Sequence, residues 1–362
     1  MGKYTAIGGQ ALIEGILMKS PEKTAMAVRV PDGSIDVSLM DQKSIREKYK
    51  IFALPIIRGV VAFVESMLQG YKAMMISADK SGFTDLEEEE EKAKKAAKAA
   101  KKAEKSGNEE PLTADSETDN APNEEKKENK TLLTVIMVIA AVLGVALSVA
   151  LFMYVPRKIV DGISWLFKVE ITNPIIRSSI EQLIKLAVFV GYVWAVSFMK
   201  DIKRVFMYHG AEHKTIFCYE KGLELTVENV RGQRRFHPRC GTSFMILMIL
   251  ISIVISTVVQ MIFPGVYDIP AVWVAAKLLM IPFICGVGFE VLRFCGKYDN
   301  IITRIISAPG LWLQRITTKE PDDGMIEIAI AALKACEPEN PDVQRPVCAC
   351  ACVEEKDEQN DI

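Results

Sequence analysis

A chain of 362 residues, half hydrophobic and a quarter charged, with a net charge of −2, lacks the basic surplus that gripping a nucleic-acid backbone requires. Its eight cysteines fall into no paired spacing, which excludes a small disulfide-built secreted scaffold. Positive mean hydropathy beside that much charge means that strongly apolar blocks alternate with strongly charged ones.

The opening MGKYTAIGGQALIEGILMKS has no sustained apolar core of the kind a secretory signal needs, and Ala6 stands where a myristoylation signal requires Ser or Thr. Residues 1–53 predict a small β-containing unit. TAMAVRV and SIDVSL flank Pro31-Asp32-Gly33, in which Pro presets φ and Gly permits a positive one. The glycines of GGQALIEGILMKSP fit a turn and a strand; they also fit a backbone that must approach a ligand closely. Residues 54–82 predict a helix starting at Pro55, broken by Arg58, Glu65 and Lys72. It suits the membrane surface, or packing against other spans, better than a full crossing. Residues 83–130 place acids before bases with no apolar face and then turn polar and breaker-rich, which predicts a flexible linker.

Four apolar blocks set the fold class. The charge-free run 132–155 rises by roughly 36 Å as a helix, enough to cross a bilayer core. The runs 183–199, 242–263 and 271–294 follow, the second carrying Lys185 and the fourth interrupted by Lys277, Pro282 and Glu290. The expectation is an α-helical membrane protein with four transmembrane helices, paired over 131–200 and 242–295, and a small cytoplasmic β-containing N-terminal unit. The link between the third and fourth spans has no Lys or Arg, whereas the one between the second and third contains Lys203, Arg204, Lys214, Lys221, Arg231, Arg234, Arg235 and Arg239. The positive-inside rule places that loop, and with it both termini, in the cytoplasm of a cell-membrane protein. It outweighs Arg157, Lys158, Lys168 and Arg177 in the opposite loop, 156–181. Residues 296–337 predict a cytoplasmic amphipathic helical region with acids in the first turn of its capped helix, and 338–362 a tail of alternating cysteines.

The chemistry concentrates in 201–241. His209 and His213 lie four apart, so on a helix both imidazoles share one face and can share one metal. Glu212 stands where a carboxylate can take a proton from water, and H-x-x-E-H is the inverted zinc-peptidase pattern. Gly210 inside the motif weakens the helix that this geometry needs. His237, Cys240 and the intramembrane Glu290 reach the same cytoplasmic layer by topology alone. The candidate metal ligands are thus His209, His213, His237, Cys240 and Glu290, the candidate metal is zinc, and the candidate base is Glu212. The competing reading is structural polar packing, with Arg239 and Arg293 pairing Glu212 and Glu290. RGQRRFHPR could also meet anionic lipid headgroups.

GGQALIEGILMKSP, PIIRGVVAFVESM, YHGAEHKTI, HPRCGTSF and PGLWLQRITTKEPDDGMIEIAIAALKA together resemble the YqhQ-like family of bacterial membrane proteins, over nearly the whole chain outside 84–130 and the cysteine tail. The resemblance implies multi-pass membrane residence and points to His209, Glu212, His213, His237 and Cys240. The family's usual label, a predicted metal-dependent enzyme, supplies no substrate. Three functions remain open at this level. One is a metal-dependent hydrolase acting on a peptide or lipid. Another is a scaffold, assembly factor or insertase-like chaperone with a structural His/Cys cluster. The third is a transporter, disfavoured by the lack of ionisable groups in mid-membrane.

Overall fold

The computed structural model describes residues 7–40, 50–83, 139, 142–168, 171, 173–237, 240–263, 265, 269–298 and 300–338. Residues 84–130 of the expected linker, 339–362 of the expected tail, and Arg239 lie outside them. The chain forms two compact units, one of residues 1–84, 173–179 and 190–362, the other of 85–172 and 180–189.

The first unit opens with an antiparallel sheet in sequential order: β1 (Gly8–Leu12), β2 (Gly15–Lys19), β3 (Thr24–Arg29) and β4 (Ile35–Met40). The expected Pro31-Asp32-Gly33 turn joins β3 to β4, with Gly33 at φ +86°. Side chains alternate across the pleat, so each strand supplies two cores. Leu12, Leu17, Met26 and Val28 pack with Ala73 of α1 (Ile57–Lys80). Ile16, Met18, Ala25 and Ala27 turn the other way, toward α4 (Lys200–Glu220), α5 (Val227–Arg231) and α9 (Asp323–Cys336). α9 buries Met325, Ile326, Ile328, Ala329, Ala332 and Leu333, so it is the central core helix of this layer. Its start is the one its sequence announces, with Asp322 accepting from the Met325 N–H at 2.8 Å.

Among the described residues, four helices are long and apolar enough to cross a membrane: Val142–Phe167, Ile175–Val196, Gly241–Ile262 and Val272–Cys295. The chain is an α-helical membrane protein. The described part of the first span runs well beyond residue 155, through a π-turn at Ala150–Tyr154 into α2 (Val155–Phe167), so Arg157 and Lys158 sit on a helix and not in a loop. α3 (Pro174–Val196) begins earlier than the apolar run alone indicates, because Asn173 caps it by accepting from the N–H groups of Ile175 and Ile176. α3 does not continue into the histidine helix. It closes at Val196, and α4 restarts at Lys200 after a turn in which the Ser197 hydroxyl donates to the Trp194 carbonyl.

In the first unit, α6 (Gly241–Ile262) and α7 (Pro270–Lys297) are the third and fourth spans. α8 (Ile301–Thr317) follows with an Asn300/Thr303 capping box and packs on α6. In the second unit, Phe152 and Phe189 stack at 6.3 Å.

Candidate metal centre

α4 supplies three of the candidate residues from one helical face, all buried: His209, Glu212 and His213. Their helix forms despite Gly210, and the fold explains that glycine. The Lys319 carbonyl, in the link between α8 and α9, lies where a Cβ would stand. The same link is tied to α4 by the Lys319 N–H, which donates to the Phe206 carbonyl at 2.8 Å.

Each imidazole is oriented by a backbone carbonyl. His209 Nδ1 lies 2.9 Å from the Thr317 oxygen, and His213 Nδ1 lies 2.5 Å from the Arg235 oxygen. A carbonyl only accepts, so both Nδ1 atoms carry the proton and both Nε2 atoms are left for other partners. Cys240 completes the group at the N-cap of α6. Its sulfur sits 3.0 Å from His209 Nε2 and accepts from the Thr242 N–H at 3.4 Å. One ligand atom from each of His209, His213 and Cys240 lies within 4.8 Å of the others, a set unique among the described residues.

The charges follow from enclosure. Burial pulls His209 down, but the Cys240 sulfur and the Glu212 carboxylate more than offset it and hold His209 up at about 9. Burial opposes ionisation of Cys240, yet His209 and His213 keep its thiol well below the ordinary thiol range. Burial pushes Glu212 up, against the pull of both histidines and of the Gly9 N–H, which hydrogen-bonds its carboxyl. That last contact accounts for a glycine in β1: a Cβ on Gly9 would meet the Glu212 Cδ at 2.9 Å and the Leu17 carbonyl at 2.8 Å. β1 of the N-terminal sheet therefore packs directly on Glu212, beside the histidines. Glu212 Oε2 and His213 Nε2 are buried without a hydrogen-bond partner.

The remaining candidates stand apart from this set. His237 adjoins it, with its ring 5.7 Å from that of His213, but its Nε2 faces Glu220 at 3.6 Å. Its backbone is clamped by Gln314, which accepts from the His237 N–H and donates to the His237 carbonyl, both at 2.8 Å. Glu290 is not in the cluster. Arg58 at the start of α1 takes both of its carboxylate oxygens at 2.7 Å, so a guanidinium from another element neutralises it within the membrane layer. Topology put Glu290 at the right depth; the pairing that removes it comes from a residue 232 positions away.

Sequence reasoning missed several supports. Thr317, Gln314 and Gly9 act through backbone or amide groups that carry no chemical signature in a sequence. Lys214, beside the histidines, is buried and pairs with Glu320 while donating to the Arg231 carbonyl at 2.9 Å. Arg204 and the Tyr208 hydroxyl both bind Glu14 in the β1–β2 turn, the latter at 3.0 Å.

The arrangement could hold a metal ion: it brings together two imidazoles, a thiol, and an orienting carbonyl behind each ring. The family model described as protein of unknown function (DUF1385) matches residues 54–339. The "Uncharacterized protein YqhQ" of Bacillus subtilis (strain 168) is 33% identical over 333 residues, covering 90% of each chain. No solved structure matches. A model matching well over half of the chain and a relative of this identity and coverage place the chain in the DUF1385, YqhQ-like family of membrane proteins.

Proposed function

We propose that this protein is a metal-dependent hydrolase working at the cytoplasmic membrane edge, with His209, His213 and Cys240 as ligands and Glu212 as general base. The observation that carries the reading is the pair of Nδ1–carbonyl contacts at Thr317 and Arg235, which commits both Nε2 atoms to the space beside the Cys240 sulfur. Two nitrogens and a sulfur suit zinc, and three protein ligands are the number found where a position stays open. When bound, such a metal lowers the proton affinity of water and polarises a carbonyl or phosphoryl oxygen. Glu212 is equipped to hold the proton: Gly9 fixes its carboxyl, Oε2 has no other partner, and burial raises its affinity for the proton. Gln314 holds the backbone at His237, three residues before Cys240.

In this reading the basic loop and both termini face the cytoplasm, the exposed Arg234 meets anionic headgroups, and the substrate is a peptide or lipid delivered at that surface. A second reading has its own support. His209, Glu212, His213 and Cys240 are all at most 8% exposed, and closed sites are the pattern of structural zinc. There the metal braces a scaffold or assembly factor.

Metal stoichiometry on protein purified without a histidine tag tests the proposal. Close to one zinc per chain is expected in the wild type and in Glu212→Gln, and its loss in the His209→Ala/His213→Ala double variant. Folded wild-type protein that takes up no metal when zinc is offered overturns it. Metal-dependent turnover that survives Glu212→Gln undiminished removes Glu212 as base, and stability lost with the metal in the absence of any turnover favours the scaffold.

A further inference from the structure

We propose that α1 and α8 sit in the bilayer beside the third and fourth spans, their outward faces against lipid acyl chains, so that the membrane-contacting part of the first unit is larger than its two long apolar helices. The ground is which residues each helix hides. α1 buries Gly59, Ala62, Gly70, Ala73 and Ser77, all small. Its outward side shows Val64, Met67, Leu68, Tyr71 and Met75, each between 42% and 59% exposed. α8 buries Thr303, Gly310, Gln314 and Thr317 along with Leu313, and turns Ile301, Ile305 and Trp312 outward, each at least 66% exposed.

A helix on a water-facing surface does the reverse, because large apolar side chains gain most by leaving water. In lipid the tails are as apolar as the side chains, so close packing joins helices and small or hydrogen-bonding residues take the inner face. Both helices have the lipid pattern, and both pack against a span. Gly59 of α1 rests against Gly286 and Phe289 of α7, the Phe63 ring lies tilted 5.8 Å from that of Phe244 of α6, and Arg58 binds Glu290. On α8, Gly310 rests against Ser243 of α6, and Gln314 donates to the Ser243 hydroxyl at 3.0 Å.

The charges on these faces fit an interfacial depth. Arg58 turns inward to its carboxylate, and Lys72 borders the α1 stripe with a stem long enough to carry its ammonium to the headgroups. On α8 the outward face carries the exposed Arg304 between Ile301 and Ile305, its stem long enough to carry the guanidinium toward the headgroups, and further on Trp312 with Arg315 over its ring at 5.4 Å. An indole and a guanidinium mark the headgroup boundary. Two residues later comes Thr317, whose carbonyl orients His209. The histidine cluster is thereby held at headgroup level by a helix that itself lies in the membrane.

The test uses full-length protein in nanodiscs of phosphatidylcholine and phosphatidylglycerol, with a photo-crosslinking amino acid placed singly at Leu68, at Ile305, or at the exposed Glu327 of α9 as a control. Lipid adducts at Leu68 and Ile305, and none at Glu327, are expected. Adducts to protein at the two test positions, from another part of this chain or from a second copy, overturn the proposal, as does lipid labelling of Glu327 to the same extent. Brominated-lipid quenching of the unmodified protein guards against misfolded variants. A quenched component that disappears in Trp312→Phe supports the proposal, and quenching unchanged by that substitution overturns it for α8.

Discussion

Gly210 shows how a single residue can look wrong in sequence and be required in structure. It costs helix propensity in the middle of the His209–His213 motif, yet the Lys319 carbonyl occupies the place of its missing Cβ. That oxygen belongs to backbone and cannot swing aside as a flexible side chain could. Gly210→Ala should therefore gain helix propensity and still lose stability, by about 1–3 kcal/mol, as the link between α8 and α9 is pushed off α4. Equilibrium unfolding of the variant beside the wild type checks this, and a variant as stable as the wild type would show that the link yields freely. At this scale the make-up of the cluster was legible in the sequence: spacing four apart put His209 and His213 together, and topology brought Cys240 to them. What orients these side chains was not legible. The carbonyls of Thr317 and Arg235 and the N–H of Gly9 are groups that every residue of their kind owns, and only the folded path places these three at the site.

Between elements, the Arg58–Glu290 pair decides how α1 meets the fourth span. Both side chains keep some exposed surface, 21% and 29%, so the pair is not a deeply buried one. Removing only the arginine takes away the main partner of the carboxylate and leaves it the Ile56 N–H and the neighbouring Arg293 charge. Arg58→Met should cost about 1–3 kcal/mol, the usual penalty of a polar group that loses its main partner, with the Arg58→Met/Glu290→Met double variant recovering part of it. Thermal unfolding in detergent reads the two directly; a double variant less stable than the single would mean that Glu290 has another stabilising partner. Such pairings explain which elements the sequence revealed. α9 was visible because its Asp322 cap and its apolar run are local features, although its central place in the core was not. The four spans were visible from hydropathy, while their ends moved where local devices intervened, such as the Asn173 cap on α3. The inside-out character of α1 and α8 stayed hidden, since periodicity shows that a helix has two faces and not which one meets protein.

For the whole molecule, the proposed metal would be a tie between segments far apart in the chain. β1 reaches the cluster through Gly9, the α5–α6 connection through Arg235 and Cys240, α8 through Thr317, and all converge on α4. A ligand that binds only the folded state at a thousandfold excess over its dissociation constant stabilises by about 4 kcal/mol. At roughly 2–4 °C per kcal/mol for a unit of this size, stripping the metal should lower the melting temperature by about 8–16 °C. The His209→Ala/His213→Ala variant, having no metal to lose, should be unmoved by the same chelator. The loss should also be uneven. Amide exchange should quicken first at residues 7–12, 235–240 and 317–320, because the sheet, α4 and α9 keep their own shared apolar core. Uniform quickening across that core would instead make the metal a requirement for folding the entire layer, whereas an identical melting temperature with and without chelator would leave the cluster held by its hydrogen bonds alone.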